Sequence, residues 1–185
     1  MAEKPRPLRA DAARNRARVL QVAYETFAAE GLAVPIDEIA RRAGVGAGTV
    51  YRHFPTKESL FYAIVADRMG NVIETARAMA VAEPGTALYT FLWHMVEEAA
   101  RDQGLVDALA GTGIDLGTAL PDGEREFMQE LAELVTRGQQ AGTVRSDVDA
   151  KDIKTLLVGL QAMQRYREDI GLVFQIVRAG LTPPP

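Results

Sequence analysis

The sequence contains no cysteine and only two histidines, His53 and His94. Disulfide bonds and thiolate chemistry are therefore excluded, and little material remains for a transition-metal site. There is no run of about eighteen apolar residues, and no apolar segment follows the basic N-terminus, so we expect neither a membrane span nor a secretory signal. The sequence thus predicts a cytoplasmic protein with no cofactor and no metal.

The sequence also lacks the residue patterns that are expected at the active site of a small enzyme. His94 precedes Glu97 and Glu98 at helical spacing, but one histidine and two carboxylates on a solvated face make a poor metal site. The glycines of residues 111–117 follow no predicted strand and precede no Lys-Ser or Lys-Thr pair, so this segment is interpreted as a flexible connection rather than a phosphate-binding loop. No nucleophile motif is present, and we predict that the chain is not an enzyme.

Charge is divided unevenly along the 185 residues. The net charge is −4, which by itself argues against a nucleic-acid-binding protein. Residues 1–60, however, contain ten Lys and Arg against seven Asp and Glu, a net of +3, and the remainder contains eleven against eighteen, a net of −7. This asymmetry is expected when one end of a chain approaches phosphate and the other does not.

The most informative stretch is residues 44–60. Ile36, Ile39 and Ala40 have helical spacing and predict a short amphipathic helix that ends at Gly44, a residue able to adopt the left-handed conformation. A second short helix is predicted over residues 49–54. Two short helices joined by a glycine-containing turn form a helix-turn-helix, whose second helix enters the major groove of DNA.

The rest of the chain reads as further helices. A first helix capped by Asp11 is predicted to end at Gly31, and Pro55 followed by Thr56 predicts the start of a long helix that links the N-terminal part to the body. Apolar periodicity predicts the remaining helices over residues 86–101, 105–110, 121–140, 153–165 and 170–181. Asp149 is expected to cap the first of the last two helices.

The predicted fold is therefore all-α, with an N-terminal three-helix helix-turn-helix domain joined by a long helix to a larger helical domain. The predicted boundaries are a flexible basic arm over 1–10, the helix-turn-helix domain over 11–60, the larger domain over 61–181 and a disordered tail over 182–185. Because a helix rises about 1.5 Å per residue, a small tilt at the far end of the long helix would move the second helix of the motif by several ångströms.

Several spaced motifs resemble the DNA-binding domain of the TetR family of transcriptional regulators. They are Val19, Leu20, Ala23, Phe27 and Gly31; Ile36, Ile39, Ala40, Ala43, Gly44 and Val45; and the run Gly48-Thr49-Val50-Tyr51-Arg52-His53-Phe54-Pro55-Thr56-Lys57-Glu58 with Leu60. The resemblance covers residues 16–61. It implies a homodimeric, all-helical repressor. Its larger domain binds a small molecule, and this binding moves the two DNA-binding domains of the dimer apart.

The resemblance also implies residues for DNA contact. The base-facing positions fall on Ala47, Gly48, Tyr51 and Arg52, and the phosphate-contacting positions fall on Thr49, Tyr51, His53 and Lys57. Arg16, together with Arg14 and Arg18, is a further candidate for phosphate contact, although a solvated polar face explains these arginines equally well. The sequence departs from the family at Gly46, where a serine is common, and at Val34 and Pro35, where threonines are common.

A ligand pocket and a dimer interface are expected in the larger domain. The candidate pocket residues are Phe91, Trp93, His94, Met95, Met128 and Leu131, because apolar walls with a few polar groups are typical of such cavities. A plain core helix remains the alternative for Trp93 and its neighbours. The resemblance implies a four-helix bundle between two copies, with Leu156, Leu160, Met163, Phe174 and Val177 at the interface.

These observations predict a DNA-binding regulator, specifically a repressor that a small-molecule inducer releases from a palindromic operator of double-stranded DNA. The alternative is a dimeric DNA-binding regulator without a small-molecule site, controlled by a protein partner. A body filled by Trp93, Met95 and Met128 would favour that alternative.

Overall fold

The computed structural model of the protein describes residues 6–101, 119–164, 166–167 and 169–184, with side chains from residue 11 onward. The described residues form eight helices and no strand, which confirms the all-α prediction. The helices are α1 (Arg6–Glu30), α2 (Ile36–Arg42), α3 (Ala47–His53), α4 (Lys57–Ala82), α5 (Ala87–Arg101), α6 (Pro121–Gln140), α7 (Ala150–Met163) and α8 (Gly171–Leu181). The predicted helix over 105–110 and the connection over 111–117 lie outside the described residues.

The chain divides into two compact units, and the division falls between Arg68 and Met69 rather than at residue 60. Helix α4 therefore begins in the first unit and ends in the second. Among the described residues, none of the helices combines the length and the apolar composition that a membrane span requires.

The first unit buries one face of each of its helices. Its core contains Val19, Leu20, Ala23, Phe27, Ile36, Ile39, Ala40, Ala43, Val50, Phe54, Leu60, Phe61, Ile64 and Val65. The expected start of α1 is wrong: the helix begins at Arg6, so residues 6–10 are helical rather than part of an arm, and Asp11 lies within the helix and pairs with Arg14. Residues 1–5 of the predicted arm lie outside the described residues.

Gly31 and Gly44 end α1 and α2 as the sequence predicts, whereas α3 starts earlier than predicted. Gly31 and Gly44 have φ values of 76° and 66°, the left-handed conformation that only glycine adopts without strain. Gly46 is the N-cap of α3, which therefore starts at Ala47, earlier than predicted. Pro35 is the N-cap of α2, which starts at Ile36.

The second unit has its own core, formed by apolar side chains of α4 to α8. Asp149 caps α7 as predicted: its carboxylate accepts hydrogen bonds from the backbone N–H groups of Lys151 and Asp152, and the Asp152 carboxylate accepts one from the Asp149 N–H. Arg77 of α4 donates hydrogen bonds to Glu126 and Glu130 of α6 at 2.6 and 2.8 Å. These charged contacts hold the second part of α4 against α6.

Candidate nucleic-acid interface

Helix α3 presents its polar side chains to solvent from a fixed backbone. Val50 and Phe54 are 1% and 4% exposed and anchor the helix in the core of the first unit. Tyr51, Arg52 and His53 point away from that core and are exposed. A short helix with buried anchors and an outward polar face suits insertion into a major groove.

A hollow of about 240 Å³ lies between α1 and α3. Asn15 and Arg16 line it from α1, and Thr49, Arg52 and His53 line it from α3. The remaining lining residues are Asp11, Ala12, Val19, Val50 and Phe54. The structure thus brings together four of the residues predicted to contact DNA: Arg16, Thr49, Arg52 and His53.

The Arg16 side chain lies over an aromatic ring. Its guanidinium carbon lies 5.7 Å from the centre of the Phe54 ring, within the range of a cation–π contact. Such a contact orients the side chain but leaves its N–H donors available for phosphate oxygens. The sequence alone left open whether Arg16, Arg14 and Arg18 differ from one another.

In the structure, these three arginines have different partners. Arg14 pairs with Asp11, and Arg18 donates a hydrogen bond to Asn15 at 2.9 Å. Within the described ranges, neither Arg16 nor Arg52 forms an ion pair. Their charge is therefore free to meet the charge of a nucleic acid.

A charged network fastens α2 to the end of α1. Arg41 and Arg42 both donate to Glu38, and Arg42 also pairs with Glu30 across twelve residues of sequence. The hydrogen bonds from Arg41 and then Arg42 lower the pKa of Glu38 to about 2, and the hydrogen bond from Arg42 lowers the pKa of Glu30. These two arginines are therefore structural residues of the motif.

Lys57 was predicted to contact a phosphate, but in the structure its side chain binds backbone atoms of the same chain. Its ammonium donates to the backbone carbonyl oxygens of Leu32 and Ala33 at 2.9 and 3.2 Å. An ammonium has three N–H donors, so one remains for another acceptor. The sequence carried no signal for this contact, because the partners are backbone atoms more than twenty residues away.

The first turn of α3 contains two small residues, Ala47 and Gly48. Gly48 is exposed, and a Cβ atom added there would meet nothing within 4 Å. Ala47, at the start of the helix, is partly exposed. Of the four predicted base-facing residues, Tyr51 and Arg52 are therefore the ones with side chains long enough to reach base edges.

Two family models match the chain. The family described as "Bacterial regulatory proteins, tetR family" matches residues 19–64, and the one described as "Transcriptional regulator SbtR-like, C-terminal domain" matches residues 83–183. The chain belongs to the TetR family. Members of the TetR family are DNA-binding transcriptional regulators and not enzymes, as predicted.

Solved structures and a curated relative agree with this TetR-family membership. A TetR transcription regulatory protein from Mycobacterium vanbaalenii is 56% identical, covers 96% of this chain and 100% of its own, and has a TM-score of 0.79. A TetR transcriptional regulator from Streptomyces coelicolor is 28% identical, covers 92% of this chain and 99% of its own, and has a TM-score of 0.73. An HTH-type transcriptional regulator from Staphylococcus aureus is 39% identical over 59 residues, which span 31% of this chain and only 32% of that relative.

In the second unit of this TetR-family chain, the predicted pocket residues differ in burial. Phe91 and Leu131 are fully buried in the core. The Trp93 ring lies against the Phe174 ring with centroids 5.0 Å apart. His94, Met95 and Met128 are partly buried, and the two methionines pack against the core. Trp93 therefore has an aromatic neighbour from α8 that the sequence had placed in the dimer interface.

Two glutamines of this region were missed. Gln161 and Gln164 donate hydrogen bonds to the backbone carbonyls of Met95 and Val96 at 3.3 and 2.8 Å, which ties the end of α7 to α5. The carboxamide oxygen of Gln164 is buried and has no hydrogen-bond partner among the described residues. In the sequence, these two glutamines lie three residues apart at the end of an apolar helix, and this spacing was the pattern that could have indicated their contact with another helix.

The predicted dimer residues also differ. Leu160 is 1% exposed and belongs to the core of its own protomer, so it has no surface to offer a partner. Leu156, Phe174 and Val177 pack partly against that core, and Met163 is 45% exposed. The large apolar residues of this region that are exposed but were not predicted are Val158, Tyr166, Leu172 and Ile176.

Proposed function

We propose that this TetR-family chain is a homodimeric repressor that binds a palindromic operator in the cytoplasm and is released by a small-molecule inducer. The observation that carries the DNA-binding part is the exposed polar face of α3 beside Arg16. Arg52 is proposed to read a base edge, since a guanidinium can bond O6 and N7 of guanine together. Tyr51, Gly48 and Ala47 complete the base-facing surface.

The phosphate contacts are proposed for the residues around the hollow. Arg16 and His53 approach it from two helices, and Thr49 adds a hydroxyl. Tyr51, 44% exposed, is proposed to contact phosphate as well. Lys57 retains one N–H donor for a phosphate in this proposal. Contacts from two helices to one backbone segment would fix the register of α3 in the groove.

Dimerisation is proposed through the exposed apolar side chains of α7 and α8. Val158 is 56% exposed, Leu172 60% and Ile176 64%. Leu172 and Ile176 are four residues apart and therefore share one helix face. With Met163 these residues replace Leu160 in the interface that we propose, while Leu156, Phe174 and Val177 stay as flanking residues. A twofold dimer pairs with a palindromic operator because both share the same symmetry.

An inducer site is proposed in the second unit, around Trp93, His94, Met95 and Met128, with Phe91 and Leu131 behind them. Helix α4 runs without a break from the first unit into the second, and it is the proposed route by which an inducer alters DNA binding. Coupling between two such sites is typically about 1 to 3 kcal/mol.

A second candidate function is a dimeric DNA-binding regulator that answers to a protein partner. The contact between Trp93 and Phe174 favours it, because this tryptophan packs against a side chain of the same protomer. Titration of the operator complex with a library of small molecules separates the two functions. Release of DNA by a compound that binds the second unit supports the repressor. Compounds that bind there without changing operator affinity contradict it.

Selection of bound duplexes from a random-sequence pool tests the DNA-binding proposal directly. We expect recovery of a palindrome whose half-sites are separated by whole turns of the double helix. Recovery of no shared sequence would contradict operator binding. A recovered palindrome, searched for in the source genome, would also identify the regulated genes.

A further inference from the structure

Lys57 links two parts of the first unit that are far apart in sequence. It is the first residue of α4, and its ammonium donates to the carbonyl oxygens of Leu32 and Ala33. These two residues belong to residues 31–35, the segment between α1 and α2, which we call the α1–α2 link. The contact therefore joins the start of α4 to the segment that leads into α2.

Backbone hydrogen bonds hold the two ends of this link. The Pro35 carbonyl accepts from the N–H groups of Glu38 and Ile39 at 3.2 and 3.3 Å. Pro35 has no N–H, and neither α2 nor α3 has a side-chain hydrogen bond at its N-cap within the described residues. The Gly31 N–H bonds back to the Phe27 carbonyl at 3.0 Å, which belongs to the end of α1. Between these two ends, the Lys57 ammonium is the donor to the carbonyl groups of Leu32 and Ala33.

The position of Lys57 is itself fixed. The Thr56 hydroxyl accepts from the Ser59 N–H at 3.0 Å, and the Ser59 hydroxyl accepts from the Thr56 N–H at 3.1 Å. This reciprocal pair holds the first turn of α4. A cation at the N-terminal end of a helix is disfavoured by the helix dipole, and the two carbonyl dipoles of the link offset that effect.

The consequence concerns α3. This helix lies in the chain between α2 and α4, and a glycine turn joins it to α2. A contact that fixes the α1–α2 link against the start of α4 therefore restrains α2 from one side and the connection after α3 from the other. Two of the three ammonium donors are used in this way, which leaves at most one for DNA.

We propose that Lys57 is a positioning residue of the helix-turn-helix, which supports operator binding mainly by fixing the α1–α2 link rather than by neutralising a phosphate. The inference rests on the proposed DNA-binding function. It distinguishes Lys57 from Arg16, whose N–H donors are not engaged by carbonyl groups of the described residues.

The test compares three variants of the full-length chain: Lys57→Met, which keeps the aliphatic stem, Lys57→Arg, which keeps the charge, and Arg16→Met as the matched loss of a phosphate contact. Operator affinity is measured over a range of salt concentrations on a duplex recovered from the random pool. Amide hydrogen exchange of residues 32–38 is measured without DNA. Helix α6 serves as the internal reference for global folding.

We expect Lys57→Met to increase exchange of residues 32–38 by about tenfold and to lower operator affinity by about tenfold, with a smaller reduction of the salt slope than in Arg16→Met. Arg16→Met should instead reduce the slope of log affinity against log salt by about 0.9, with exchange unchanged. Lys57→Arg should keep the slope and restore exchange protection only in part, because a planar guanidinium replaces a compact ammonium.

A salt slope reduced as much in Lys57→Met as in Arg16→Met, or wild-type exchange of residues 32–38 in Lys57→Met, would overturn the inference. If the wild-type chain selects no DNA sequence, the proposed function fails, but the exchange measurement still decides whether Lys57 fixes the link. Increased exchange in α6 as well would indicate general unfolding, in which case Lys57→Arg decides: protection equal to wild type overturns the inference, and partial protection supports it.

Discussion

The arginines of the first unit show how equal residue types acquire different functions. Arg41 and Arg42 are held by Glu38 and Glu30, and Arg14 is held by Asp11. Arg52 has no ion-pair partner in the described part of the chain, and Arg16 lies over the Phe54 ring. All of these arginines contribute to the positive electrostatic potential of the first unit. Only an arginine whose N–H donors are available can form a bidentate contact with a base or a phosphate.

Replacement of Arg52 tests direct base reading. We expect Arg52→Ala to relax base preference at one position per half-site, at a cost of about 1 to 3 kcal/mol in discrimination, because the bidentate contact to guanine is lost. Competition binding with duplexes substituted at each operator position measures this. Arg16→Ala, as comparison, should weaken binding to all duplexes alike. An equal loss on every duplex for Arg52→Ala would contradict its assignment.

Glu38 gives the first unit a specific response to acid. Its pKa is lowered from 4.5 in the unfolded chain to about 2 by the hydrogen bonds from Arg41 and Arg42. A carboxylate with a depressed pKa contributes stability above its unfolded pKa, and this contribution is lost as pH falls through the folded pKa. The relevant window is therefore between about pH 5 and pH 2.

We expect the stability difference between wild type and Glu38→Gln to be constant above about pH 5 and to shrink toward pH 2. Urea unfolding at a series of pH values measures it. Because the Arg41 side chain is exposed and those of Glu38 and Arg42 are only partly buried, the difference should decrease in about 1 M salt, where charges are screened beyond about 3 Å. A difference that does not change with pH would contradict the role of the ion pairs.

At the scale of elements, the turn between α2 and α3 depends on backbone conformation at one residue. Gly44 has φ 66° and a Cβ there would meet nothing within 4 Å, so conformation rather than space demands glycine. Gly48, inside α3, also has open space around it but an ordinary helical conformation. The two glycines therefore form a matched pair.

We expect Gly44→Ala to reduce the free energy of unfolding by about 1 to 2 kcal/mol, because alanine is strained in the left-handed region. Gly48→Ala should raise it by about 0.5 to 1 kcal/mol, because alanine favours the helix. Chemical denaturation of both variants provides the measurement. The same sign of change in both would show that the turn conformation is not what Gly44 supplies.

Element boundaries were predictable where a single residue type decides them. Gly31, Gly44 and Asp149 end or cap helices as expected, because left-handed conformation and capping are local properties. The start of α1 was missed, since Asp11 has the chemistry of a cap but pairs with Arg14 inside a helix that begins at Arg6. A cap residue identifies a helix start only where the preceding residues do not themselves form helix.

At the scale of the whole molecule, the exposed apolar side chains of α7 and α8 are the main feature that a monomer leaves unexplained. Val158, Met163, Leu172 and Ile176 are each close to half exposed or more. Exposed apolar residues concentrated on two neighbouring helices in sequence are typical of an interaction surface. The proposed second copy would cover them.

We expect Ile176→Glu to convert a dimer into monomers and to reduce operator affinity, because a carboxylate would be buried without a partner at the interface. Val81→Glu is the control, since Val81 is 75% exposed and lies at the end of α4, outside the proposed interface. Light scattering coupled to size-exclusion chromatography measures the mass. A wild-type chain that is monomeric, or a dimer that survives Ile176→Glu, would contradict the interface.

Sequence patterns were enough to predict the helical class, the helix-turn-helix and the family, because periodic apolar residues, glycine turns and caps act over a few residues. They also identified Arg52 and Tyr51 as outward residues, since Val50 and Phe54 fix which face of α3 is buried. The folded structure was needed to show that Arg16 lies over Phe54, that Leu160 belongs to its own core and that Lys57 binds the carbonyls of Leu32 and Ala33. Those contacts join residues distant in sequence, and no local pattern specifies which distant atoms a side chain will meet.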